Sequence, residues 1–122
     1  MSLKVSDIPH NYEQALKITL EKNYTNIKVG SNGSLQYNSD ETISLWLWNT
    51  EIVRFYKDGR LKIDDGGYKT RTTRSWINWI LDYGLEVVKK NNKNVLIVEL
   101  YEGDKLEFQL PITLKYVWRR LN

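Results

Sequence analysis

EIVRFYKDGRLKIDDGGYKTRTTRSWINWIL, residues 51–81, holds a β-hairpin, a glycine pair, a basic threonine-rich segment and a tryptophan-bearing helix in one run. Lys57-Asp58-Gly59 is turn chemistry between two alternating runs, which predicts strands over Glu51–Tyr56 and Arg60–Asp64. Register follows from the pairing that keeps apolar side chains together. A three-residue loop with Gly59 left-handed sets Phe55 against Leu61 and Val53 against Ile63, whereas a two-residue loop sets Phe55 against Lys62 and Arg54 against Ile63. The first choice leaves Arg54, Tyr56, Arg60 and Lys62 on the opposite face. Asp65-Gly66-Gly67 then breaks the strand, and Thr72 or Thr73 is expected to cap a helix with Trp76, Ile77, Ile80 and Leu81 on its apolar face. Arg74, Ser75, Asn78 and Asp82 lie opposite, Trp79 lies at the border, and Gly84 is the expected C-cap residue.

Upstream, Asn11 with Gln14 three residues on marks a helix start, and Tyr12, Ala15, Leu16 and Leu20 form its apolar stripe. Residues 28–37 read as strand, turn, strand. Ile43 to Trp48 alternates Ile43, Leu45, Leu47 with Ser44, Trp46, Trp48, the pattern of a central strand with two largely apolar faces. Downstream, Leu85–Lys90, Val95–Tyr101 and Lys105–Leu110 form an expected meander whose inward residues are Leu96, Val98, Leu100, Leu106, Phe108 and Leu110. After Pro111, the spacing of Leu114, Val117, Trp118 and Leu121 predicts a short terminal helix. The expectation is a single α+β domain over residues 1–122: an antiparallel sheet of hairpins and a meander, packed by an N-terminal and a central helix.

With 122 residues the chain can bury one core without a metal or disulfide, and it contains no Cys. No apolar run approaches the ~20 residues of a membrane span, and no signal-peptide pattern opens the sequence, so an intracellular protein off the membrane is expected. The net charge of +3 is uneven. Residues 1–50 carry four cations and five anions, residues 51–81 seven and four, and residues 82–122 seven and six. Between Gly66 and Asn78, Lys69, Arg71 and Arg74 interleave with hydroxyl residues and no carboxylate intervenes.

The run T-x-I-V-R-F-x-x-x-G-x-L-x-I-x-x-G-G-Y-x-T-x-T-T-R-x-x-I-N, here Thr50 to Asn78, resembles a widespread family of small proteins of bacteriophages and other prokaryotic viruses. Lys28 to Gly33 is similar to that family's lysine-rich segment with paired asparagines, with Gly33 where a threonine is usual. The resemblance implies a viral context, hence the host cytoplasm, and a shared fold over residues 12–110. It implies no reaction.

Catalysis has little raw material. The lone His10 sits near the terminus, and Asp64-Asp65 with Lys69 lacks the Glu-x-Lys that a magnesium-dependent nuclease would place on a following strand. No catalytic residue, metal site or cofactor is expected; Asp64-Asp65 reads as turn chemistry. The segment from Gly66 to Arg74 enters a helix N-terminus, which attracts anions, though capping threonines and ion-paired arginines would use the same residues as scaffold. Trp46, Trp48, Trp76 and Trp118 fall on apolar faces, leaving Trp79 as the candidate for exposure. The expected function is a non-enzymatic viral accessory protein that binds nucleic acid, single-stranded DNA or RNA, through Arg54, Arg60, Lys62, Lys69, Arg71, Arg74 and Trp79. The alternative partner for the same surface is a host protein complex, the protein acting as an antagonist of host defence of the anti-CRISPR type.

Overall fold

A computed structural model of the chain describes residues 2–22, 26–81, 84–100 and 102–115. Helix α1 (Tyr12–Lys22) starts where expected: Asn11 Oδ1 accepts the Gln14 N–H at 2.8 Å, and Gln14 Oε1 accepts the His10 N–H at 2.8 Å. Tyr12 and Ala15 are buried, but Leu20 is 68% exposed. Eight residues on from Tyr12 a helix has turned about 80° off the inward direction, while Thr19 is nearly in line with it. Thr19 is accordingly the buried residue, its hydroxyl donating to Leu16 O at 2.9 Å.

Among the described residues seven strands make one sheet: β1 (Ser2–Leu3), β2 (Asn26–Val29), β3 (Gly33–Tyr37), β4 (Ile43–Leu47), β5 (Thr50–Phe55), β6 (Leu61–Ile63) and, last in the chain, β10 (Ile112–Leu114). They lie in that order, antiparallel except for β1, which runs parallel to β2. Cross-strand pairing lines up Ile27, Leu35, Leu45, Val53 and Ile63 across the inner face, all buried. Helix α1 packs over β2 to β4, and helix α2 (Arg71–Ile80) packs over β5.

The hairpin register is the one the apolar pattern requires: Phe55 opposite Leu61, Arg54 opposite Lys62 and Val53 opposite Ile63, with Gly59 at φ +96°. A bulge separates the Leu45–Val53 pair from the Trp46–Glu51 pair and leaves Ile52 as the extra residue. Residues three apart in a regular strand face opposite ways. The extra residue brings Glu51 to the same outer face as Arg54, and the two form an ion pair at 2.8 Å.

Helix α2 is capped by Thr70, not by Thr72 or Thr73. Thr70 is extended and accepts the Thr73 N–H at 3.2 Å, while Thr73 is buried inside the first turn with its hydroxyl 2.9 Å from that of Thr70. Trp76, Ile77, Ile80 and Leu81 are buried as expected. Leu81 turns extended and ends the helix, so Gly84, at φ +91°, shapes the turn that follows rather than the cap.

The meander forms a second sheet, β7 (Leu85–Lys90), β8 (Lys93–Glu99) and β9 (Lys105–Gln109), in that order. Asn91 and Asn92, both at positive φ, make a two-residue turn that pairs Lys90 with Lys93, so β8 begins before the expected Val95. Asn78 does not face solvent: its side-chain amide accepts the Val87 N–H at 2.7 Å and donates to Val87 O at 2.9 Å, closing the β7 edge. Leu96 is buried and Val98 and Leu110 are partly buried, but Leu100, Leu106 and Phe108 are exposed, because α2 lies over β7 on the far side of the sheet from β9. Leu114 belongs to β10; Val117, Trp118 and Leu121 of the expected terminal helix lie outside the described residues.

Candidate nucleic-acid interface

The seven expected contact residues fall on two surfaces with the sheet between them. Arg54 and Lys62 share the outer face of the β5–β6 hairpin, and Arg60 stands at its turn. All three are engaged or partly covered. Arg54 donates through Nε and Nη2 to Glu51 Oε2 at 3.1 and 2.8 Å, and this carboxylate holds its pKa above the usual guanidinium value. Glu51 also accepts the buried Ser44 hydroxyl at 2.5 Å. Arg60 Nε bonds Asp58 Oδ2 at 2.8 Å, and its guanidinium sits 4.4 Å from the centre of the Tyr56 ring. The Arg60 backbone N–H and then its side chain hold the Asp58 carboxyl below its ordinary range. Lys62 is half-buried.

The second surface lies at the start of α2. Arg74 does not belong to its free charge: Nη1 donates to Lys69 O at 2.9 Å and to Asn94 Oδ1 at 3.2 Å. Buried Asn94 completes a clasp, donating to Asp65 Oδ2 at 3.0 Å and Tyr68 O at 3.3 Å. Asp64 and Asp65 each accept a glycine N–H at 2.9 Å, from Gly66 and Gly67, as turn residues do. The clasp thus ties the glycine turn and the start of α2 to the β7–β8 hairpin. Lys69 and Arg71 remain exposed, and among the described residues neither has an ion-pair partner.

Beside Arg71 a shallow groove of about 420 Å³ runs between the 3₁₀ turn Val5–Asp7 and α2, lined by Val5, Ser6, Arg71, Thr72, Ser75, Trp76 and Trp79. Trp79 is 42% exposed, its Nε1 donates to Ile8 O at 3.1 Å, and its ring lies 5.2 Å from that of His10. The start of α2 adds the Arg71 and Thr72 N–H groups, which have no partner within the helix, whereas the Thr73 N–H is taken by Thr70. Apolar floor, aromatic wall and cation at a helix N-terminus suit a planar ring attached to an anion.

No sequence pattern marks Val5, Ser6 or Trp76 as groove residues, because the 3₁₀ turn is placed by the β1–β2 pairing and by the Gly30 N–H to Leu3 O bond of 2.8 Å, neither of which leaves a periodic signal. Trp48 is a correction: it is 49% exposed at φ +52° in the β4–β5 turn, where alternation no longer dictates a face. Asn94 carried no signal beyond its turn composition. Among the described residues no group of three or more His, Asp and Glu is placed to hold a metal, and no helix is long and apolar enough to cross a membrane.

The fold is α+β, and it sets a basic helix start beside an aromatic groove. The model of the Kyanoviridae Gp96 protein family matches residues 10–110, and the chain belongs to that family of phage proteins. No curated protein and no solved structure gives a significant match.

Proposed function

We propose that this phage protein is a non-enzymatic accessory protein of the host cytoplasm that binds single-stranded nucleic acid at the α2 groove. A base stacks on Trp79, while Arg71, Lys69 and the first N–H groups of α2 meet the flanking phosphates. The observation that carries this reading is the groove itself, where exposed Trp79 lines one wall with Arg71, which has no ion-pair partner among the described residues. Arg54 and Arg60, each already held by a carboxylate, and Arg74, held by Lys69 O and Asn94, are assigned to scaffold. Lys62 is left as a minor contributor on the far face.

Titrating the protein with a short unlabelled oligonucleotide at about 50 mM salt, where phosphate contacts are strong, should quench tryptophan fluorescence and leave the oligonucleotide intact in magnesium. Trp79→Ala should remove most of the quench and weaken binding by about 1–3 kcal/mol. Absence of binding would overturn this reading in favour of an antagonist of a host protein complex, since exposed Trp and Arg are equally the common anchors of protein interfaces.

A further inference from the structure

The two edges of the meander sheet are finished differently. At β7 the Asn78 amide occupies both polar groups of Val87; among the described residues nothing occupies the outer edge of β9. All five residues of β9 are exposed, and Leu106 and Phe108, at 46% and 39%, stand on one face beside Leu100 at 40%. An open edge with apolar side chains is a template for another strand.

The text of that edge is complementary to itself. Lys105 and Glu107 lie on the face opposite Leu106 and Phe108. If two β9 strands run antiparallel with Leu106 opposite Leu106, each Lys105 stands opposite Glu107 of the second copy, and each Phe108 lies diagonal to Leu106 of the second copy. We propose that β9 is the interface between two copies of this chain, joining their meander sheets edge to edge about a twofold axis. The pairing satisfies the outward backbone groups of Lys105 and Glu107, brings Leu106 and Phe108 against Leu106 of the second copy, and sets two charge pairs on the other face. Glu107 already bonds Lys90, and a carboxylate has acceptor capacity for a second ammonium.

Sedimentation velocity of the nuclease-treated full chain over a wide concentration range tests this. The average mass should rise from 14.5 kDa toward twice that value. Glu107→Lys alone and Lys105→Glu alone each set like charges opposite and should hold the protein at the single-chain mass, while an equal mixture of the two variants should restore the double mass. A wild-type protein that stays at the single-chain mass overturns the proposal. So does a dimer that survives both substitutions, or a mixture that fails to reassociate. Dimerisation seen only after residues 116–122 are removed would likewise overturn it, assigning the edge to the chain's own tail.

Discussion

Trp76 lies against Gly33: a Cβ built on Gly33 would stand 2.4 Å from the Cη2 and Cζ3 atoms of the ring and 2.9 Å from Trp46 O. Gly33 starts β3 and is paired with Leu47, so its missing side chain points inward, toward α2. A threonine at this position would not fit beneath this tryptophan. Gly33→Ala should therefore destabilise the fold by about 1–3 kcal/mol despite the better strand propensity of alanine, and Gly33→Thr by more. Urea denaturation measures both; an unchanged midpoint for Gly33→Thr would show that Trp76 does not occupy that position.

Phe55 is 1% exposed and faces Leu61, whereas half-buried Lys62 is on the other face of the same hairpin. Phe55→Ala should cost about 3–5 kcal/mol through lost transfer energy and a residual cavity. Lys62→Ala should change stability by no more than about 0.5 kcal/mol. Equal effects would reverse the face assignment.

Much of the hairpin and α2 was legible because short-range chemistry decides them. A left-handed Gly59 and four apolar residues fix one register, and the spacing of Trp76, Ile77 and Ile80 fixes a buried stripe. What was not legible depends on partners distant in the chain. Thr70 outcompetes Thr72 and Thr73 as cap because the extended segment after Gly67 enters the helix earlier, and Thr73 is then drawn into the core. Asn78 reads as a solvent residue until β7 supplies an open edge. The cations are near in sequence and so suggest one surface, but a strand and the helix packed on its other face put them on opposite sides.

Asn78→Ala should leave Val87 N–H and C=O without partners at a half-covered edge, costing about 1–3 kcal/mol. Hydrogen exchange gives a local check. The Val87 amide should lose protection beyond the global change, while the Leu96 amide follows global stability alone. Asn78→Asp should be no rescue, because it sets a carboxylate against Val87 O.

Asp40 gives a sign for pH. The Thr42 hydroxyl and N–H, at 2.5 and 3.0 Å, hold its carboxyl below the ordinary range. A depressed folded pKa contributes stability that is present above the unfolded pKa of about 4 and is lost as pH falls through the folded value. Between pH about 6 and about 2.5, wild type should therefore lose more of its urea midpoint than Asp40→Asn does. Parallel pH profiles would contradict the role of this turn.

The nucleic-acid reading rests on one face of the molecule and not the other, and salt dependence separates them. Fluorescence anisotropy of a labelled single-stranded oligonucleotide, at several salt concentrations, should give a log–log slope of about −0.7 per phosphate neutralised. Removing Lys69 and Arg71 together, as Lys69→Ala with Arg71→Ala, should reduce the magnitude of that slope by about 1.4. Arg60→Ala with Lys62→Ala, on the far side of the sheet, should leave it nearly unchanged. A slope that falls with the hairpin pair and not with the α2 pair would contradict the assignment of the groove.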